Sequence, residues 1–228
     1  MKFVTKLFDF FLPRLCPACS SKLEPDEYFI CNSCINKIKL AERDYLGNEY
    51  QKKFAADGII SGFTCLFVFE KDKELQYIIH EIKYKENFRL GKHLGKIVGN
   101  KLKEKISGWS ADLIIPIPLH HLKKAERGYN QSYYIAKGIS AACNVPVNKS
   151  IVKRNRFTPS QTALNLEERK VNMQDAFTLK HPAKVKGKNI ILVDDVITTG
   201  STITECGRVL MEAGTNKIFA LSTAIAGL

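Results

Sequence analysis

The chain has 228 residues, room for one α/β domain with a full core and a small appendage. Hydrophobic residues make up 45% of it and charged residues 25%, a globular balance that excludes a disordered tract or a membrane-spanning class. The net charge of +12 is concentrated, since positions 120–188 hold fourteen Lys/Arg against four Asp/Glu, an excess of ten. Such a stretch suits a polyanionic small substrate or a nucleic-acid strand, the alternative being a solvated basic surface.

The chain opens on MKFVTKLFDFFLPRLC, where Lys2 and Lys6 precede apolar residues as they would in a signal peptide. Asp9 interrupts the apolar run, and Cys16 and Cys19 stand where a small-residue cleavage site would be. A cytoplasmic protein with no transmembrane segment is therefore expected, the other use of this segment being a helix that touches a membrane face. Next come Cys16-Pro-Ala-Cys19 and Cys31-Asn-Ser-Cys34, two C-x2-C knuckles eleven residues apart. Two such knuckles bring four thiolates to tetrahedral positions about one Zn²⁺, and with every position filled by protein the ion would be structural. Disulfides or a redox C-x-x-C are the competing readings; a reducing compartment disfavours the first and the doubled spacing the second. Positions 1–48 are thus expected to form an N-terminal helix and a four-cysteine zinc finger, and positions 58–228 a second domain. Cys65, Cys143 and Cys206 sit in apolar surroundings and read as core.

Positions 35–58 are charged and aperiodic, and read as a helical tail and a linker. Alternation of Phe63, Cys65, Phe67 and Phe69 predicts a strand over 62–70, and helices are predicted over 71–83 and 88–105. The basic, aromatic segment 80–89 is either a helix end on the surface or a binding segment. A buried strand over 111–118 ends at its prolines. It is followed by a polar loop, 120–131, and a helix to about 143. Short apolar pieces at 145–147 and 176–179 flank a long polar loop, 154–175, expected to act as a mobile active-site cover. The chain closes with a strand over 189–193, a polar turn, a helix over 202–213 and a strand over 217–223. This alternation predicts a parallel sheet with helices on both faces.

The sharpest motif is Ile190-Ile-Leu-Val-Asp194-Asp195-Val-Ile-Thr198-Thr199-Gly200-Ser201-Thr202. An apolar strand delivers two adjacent carboxylates at its C-terminal edge, where open α/β sheets bind ligands. Gly200 lets the backbone approach closely, and the hydroxyls and N–H groups of Thr198, Thr199, Ser201 and Thr202 can surround a phosphate at the helix N-terminus. The turn lacks both the Walker spacing with its lysine and G-x-G-x-x-G.

This run resembles the fingerprint for 5-phosphoribosyl-1-pyrophosphate (PRPP) of type I phosphoribosyltransferases. Together with the cysteine knuckles, Pro116-Ile-Pro118, Arg127-Gly-Tyr-Asn-Gln131 and the stretch from Thr158-Pro-Ser-Gln161 to Arg169, the chain resembles the ComF family over its full length. The resemblance implies a type I phosphoribosyltransferase-like α/β domain behind the zinc module. It implies that Asp194 and Asp195 hold the ribose hydroxyls and help position Mg²⁺ on PRPP. The loop after the strand at 111–118 would bind pyrophosphate, which nominates Arg127, with Lys123 and Lys124 behind it. Arg154, Arg156, Gln161 and Arg169 would act from the cover. Purine-salvage members carry an acid where Thr198 stands here, which disfavours a purine acceptor and leaves the nucleophile open.

Three functions compete. The first is transfer of a phosphoribosyl group with pyrophosphate release. The second is non-catalytic PRPP or nucleotide sensing. The third is single-stranded DNA binding in DNA uptake, alongside the proteins of that machinery, using exposed aromatics such as Tyr84, Phe88, Tyr129 and Phe157.

Overall fold

A computed structural model describes residues 13–155 and 176–227. The proposed N-terminal helix and positions Arg156, Phe157, Gln161 and Arg169 lie outside the described residues.

The larger part of the chain is built on a four-stranded parallel sheet, order β1-β6-β5-β2, formed by β1 (Gly62–Phe69), β2 (Leu113–Pro116), β5 (Asn189–Ile197) and β6 (Lys217–Ala226). Residues alternate across β5: Ile191 and Val193 enter one apolar cluster, Ile190 and Leu192 the other. Both faces must therefore be covered. On one side lie α3 (Glu74–Tyr84), α4 (Phe88–Lys101), the short α5 (Lys103–Ser107) and α7 (Gln131–Cys143). On the other lie α2 (Arg43–Lys53), α8 (Ser201–Glu212) and the antiparallel pair β3 (Val152–Arg154) and β4 (Phe177–Leu179). Val147 bridges to Ile114 in parallel, extending the β2 edge by one short contact.

Several expectations change in detail. The aperiodic 35–58 segment is not a plain linker, because it folds into α1 (Asn32–Lys37) and the eleven-residue α2. Its apolar stripe is incomplete, because beside Tyr45, Leu46 and Tyr50 the inward face of α2 carries a buried ion pair, Glu49 with Lys53 at 2.9 Å. The polar loop over 120–131 contains α6 (His121–Arg127), ended by Gly128 at φ 73°. Strands β5 and β6 run longer than expected because the ladder continues through and past the acids, with Asp194 paired to Ser222, Val196 to Ala224 and Ile197 to Ile225. Arg154 belongs to β3, paired with Phe177, and not to the loop that follows.

Helices α4 and α7 cross at glycines. A Cβ on Gly95 would lie 2.1 Å from the Ile135 carbonyl oxygen, and one on Gly138 2.1 Å from that of Lys92. Backbones this close leave no space for a methyl group, and the crossing sets the height of the α7 N-terminus over the sheet.

The four-cysteine segment packs into the same core. Cys16, Leu23, Ile30, Cys31, Cys34 and Ile38 join the cluster that contains α3 and α4, and residues 39–41 pair antiparallel with β1 through Ala41 N–H to Leu66 O and Val68 N–H to Lys39 O.

Gly95→Ala is expected to destabilise the protein by about 3 kcal/mol through overpacking. Gly47→Ala, in α2 with nothing within 4 Å of the added carbon, is expected to stabilise it by about 0.5–1 kcal/mol. Urea denaturation of both variants checks the pair.

Candidate active site

The parallel strands point their C-terminal ends to one edge, so Pro116 of β2 and Asp194 and Asp195 of β5 come together there. From β2 the chain leaves toward α6 and α7, and from β5 toward α8 and β6, so a crevice opens between these neighbouring strands.

Asp194 is anchored from α7. Its Oδ1 accepts from the Ser132 hydroxyl at 2.8 Å and from the Asp195 N–H at 2.9 Å. Asp195 is 5% exposed; its Oδ1 accepts from Val196 N–H at 2.6 Å and its Oδ2 lies 2.9 Å from Lys83 Nζ. Thr223 donates to the Asp195 carbonyl from β6. Burial and the adjacent Asp195 charge push Asp194 up to about 6. Burial also pushes Asp195 up, but the Lys83 ammonium, with Arg127 beyond it, outweighs that and holds Asp195 below the usual carboxylate range. The pair is thus divided into one readily ionised acid and one reluctant one.

Cations converge on the pair from three elements. Lys83 ends α3. Arg127 ends α6, its guanidinium 5.4 Å from the Tyr84 ring centroid and its buried Nε without a hydrogen-bond partner among the described residues. Arg154 on β3 stacks on Phe177 at 5.5 Å and feels the Asp194 charge. Lys123 is held below its ordinary value by burial and by the charges of Arg154, Arg127 and Lys83. Lys124 is exposed and lines a cavity of about 540 Å³ that Asn130 and Arg154 also line. Two hydrogen bonds brace this wall: Asn130, the α7 N-cap, donates to Ile117 O at 2.9 Å, and His120 Nε2 meets Asn155 O at 3.1 Å.

Past the acids, Thr198 is exposed, Thr199 is nearly buried, and the Thr199 and Ser201 hydroxyls lie 3.0 Å apart. Gly200 has φ 82° and caps α8, twelve residues long, whose first N–H groups have no intrahelical partner. A Cβ on Gly200 would sit 2.8 Å from Phe54 Cε1, so glycine is required by conformation and by space. The turn is therefore shaped from beneath by α2 and its cap residue Phe54, which sequence reasoning left in a linker. Lys83 and Ser132 were also missed. Each had a signal nearby: the basic 80–89 segment for one, the Arg127–Gln131 motif for the other.

At the other end, the Sγ atoms of Cys16, Cys19, Cys31 and Cys34 all lie within 4.8 Å of one another, with Cys19 and Cys31 at 3.8 Å. Tetrahedral thiolates around an ion with bonds of about 2.3 Å stand about 3.8 Å apart, so the donor set fits such an ion. Hydrogen bonds from Ser21 bring Cys19 down to about 6, while burial pushes Cys31 and Cys34 up. Only a cation at the centre would let all four ionise together.

Comparison with known proteins agrees with this geometry. Residues 129–226 match the phosphoribosyl transferase domain family. The chain is 26% identical over 208 residues to competence protein F of Haemophilus influenzae, covering 90% of this chain and 87% of that one. It is 31% identical over 143 residues to the DNA utilization protein YhgH of Shigella flexneri, covering 61% of this chain and 62% of that protein's length. To competence protein ComFC of Bacillus subtilis it is 31% identical over 102 residues, covering 45% and 39%. The fold and the crevice thus define a type I phosphoribosyltransferase-like protein. The four-cysteine segment, the matched domain and these relatives together support a ComF-like protein.

Proposed function

We propose that the chain binds PRPP and transfers its phosphoribosyl group to an acceptor with release of pyrophosphate. The observation that carries this reading is one crevice holding three complementary parts. The Gly200 turn at the α8 N-terminus suits the 5-phosphate. The carboxylates of Asp194 and Asp195 suit the ribose diol. The Lys83, Lys123, Arg127 and Arg154 side chains suit pyrophosphate, with the buried Arg127 Nε as a donor awaiting an acceptor.

In the reaction, the acceptor's lone pair bonds to the anomeric carbon while the bond to pyrophosphate oxygen breaks, its electrons leaving on pyrophosphate. Positive charge builds on the ribose ring, as in other glycosyl transfers, and the carboxylates stabilise it. Two adjacent carboxylates, one already drawing an ammonium to 2.9 Å, are a donor set that fits a hard divalent cation. Mg²⁺ bound there with PRPP supplies charge neutralisation at the leaving group. Thr198, exposed at the turn, presents a hydroxyl where an acid would assist a purine, which disfavours a purine acceptor and leaves the acceptor's class open. The thiol cluster is proposed to hold structural zinc. A four-thiolate cluster of this kind suits a reducing cytoplasm, the location proposed; among the described residues no helix is long and apolar enough to cross a membrane.

A second surface supports a second reading, single-stranded DNA binding alongside the DNA-uptake machinery. Phe88, Tyr129, Tyr133 and Tyr134 form a contiguous aromatic group, with Phe88 and Tyr134 rings at 4.9 Å and Tyr133 and Tyr134 at 5.3 Å. Lys149 lies 4.6 Å from the Tyr133 ring and Arg89 6.0 Å from the Phe88 ring. Bases stack on such rings while the strand's phosphates meet the cations.

Asp194→Asn with Asp195→Asn is expected to lower PRPP turnover at least about 100-fold with an unchanged circular-dichroism spectrum; pyrophosphate release from PRPP with Mg²⁺ across an acceptor panel reads it. Metal analysis is expected to find one zinc per chain, lost on Cys16→Ser with a lower Tm because Cys16 lies in the core. Phe88→Ala with Tyr133→Ala should weaken binding of a fluorescent oligothymidylate by about 1–3 kcal/mol for each stack lost, and wild-type binding should weaken steeply as salt rises; salt-independent binding would sink this second reading.

A further inference from the structure

Segments 82–84 and 127–129 are separated by more than forty residues in the chain and clasp each other at two points, on either side of Lys83. The Tyr129 hydroxyl donates to the Ile82 carbonyl. Arg127 stacks on Tyr84. Lys83, between those two residues, sends its ammonium to Asp195 Oδ2 at 2.9 Å. The Lys83 side chain is 23% exposed and that of Asp195 6%, so the ammonium reaches the carboxylate from the open side of the crevice.

That placement is where a bound sugar would have to work. A ribose diol docks on a carboxylate by donating its own O–H groups, and at an oxygen that already meets an ammonium it competes with that cation for space and for the carboxylate's charge. Asp194 has one oxygen committed to Ser132 and the Asp195 N–H, and on the neighbouring Asp195 it is Oδ2 that the ammonium holds. Pyrophosphate offers several negative charges and many acceptor oxygens beside the same wall, a stronger attraction for an ammonium than one carboxylate. Arg127 Nε, buried without a hydrogen-bond partner among the described residues, has the same need for acceptors at the same place.

We propose that Lys83 is a substrate-gated cation that neutralises Asp195 in the empty site and moves onto the pyrophosphate of PRPP as the ribose hydroxyls take its place on the carboxylate. This rests on the PRPP reading above. Lys83 thereby couples recognition of the two halves of PRPP: the carboxylate becomes available to the sugar only when a diphosphate is present to receive the ammonium. The basic 80–89 segment and the Arg127–Gln131 motif are in this view two halves of one device.

The test divides the ligand. Titration calorimetry on the full chain measures pyrophosphate, ribose 5-phosphate and PRPP, each with Mg²⁺, for wild type, Lys83→Met and Lys83→Arg. Lys83→Met is expected to weaken pyrophosphate binding roughly tenfold or more, the loss of one charge-assisted contact. Ribose 5-phosphate should bind Lys83→Met as well as or better than wild type, because the carboxylate no longer has an ammonium to shed. Lys83→Arg should recover most of the pyrophosphate affinity. Equal weakening of both ligands would make Lys83 a mere strut for Asp195 and overturn the proposal, as would pyrophosphate binding untouched by Lys83→Met. Wild type that binds PRPP while Lys83→Met behaves identically sinks only the role of Lys83. Wild type that binds none of the three sinks the PRPP reading and this inference with it.

Discussion

Asp194 and Asp195 stand side by side at the end of an interior strand, where like charges and poor solvation each raise the cost of ionising. A site built on them has to import positive charge and donors, and much of the surrounding architecture can be understood as that import. Helix α3 brings Lys83, α6 brings Arg127, β3 brings Arg154, and the N-terminal turn of α7 brings the Ser132 hydroxyl. The result is asymmetric: Asp195 is held ionised by its ammonium, and Asp194 is left near the middle of its titration at about 6.

These donors come from elements far apart in sequence, so their placement depends on how the helices pack. The glycine crossing of α4 and α7 matters for that reason. With Gly95 and Gly138 backbone against backbone, α7 sits low enough for Ser132 to reach Asp194 at 2.8 Å. A methyl group at either glycine would lift α7 and lengthen that hydrogen bond, so packing energy and site geometry are controlled by the same contact.

The four-cysteine segment and α2 are likewise not independent of the crevice. The cysteine segment shares one apolar cluster with α3 and α4, and residues 39–41 lie against β1. Helix α2 then runs over the sheet to place Phe54 under Gly200, with its buried Glu49–Lys53 pair also tied to the Ala226 carbonyl through Lys53 Nζ at 3.3 Å. Buried ion pairs contribute little net stability but are costly to break, which makes this one suited to holding a helix in a single position beneath the phosphate turn.

What the sequence by itself determined was whatever depends on neighbours in the chain. The alternation of apolar strands with helices, the paired knuckles at Cys16, Cys19, Cys31 and Cys34, and the acids followed by the Thr/Gly/Ser turn are local patterns that survive in one dimension. Of α2 only a helical tail of unmarked extent was legible, because a buried ion pair interrupts the apolar stripe by which helices are read. Only the tertiary structure decided which of the many basic residues turn toward the site: Lys83 reaches Asp195 and Lys123 is half-buried among the site's cations, while Lys124, one residue on, is exposed. Adjacent side chains on a helix point about 100° apart, and a basic tract carries no mark of which member turns inward. That direction is set by packing between helices and sheet, which composition and spacing leave open.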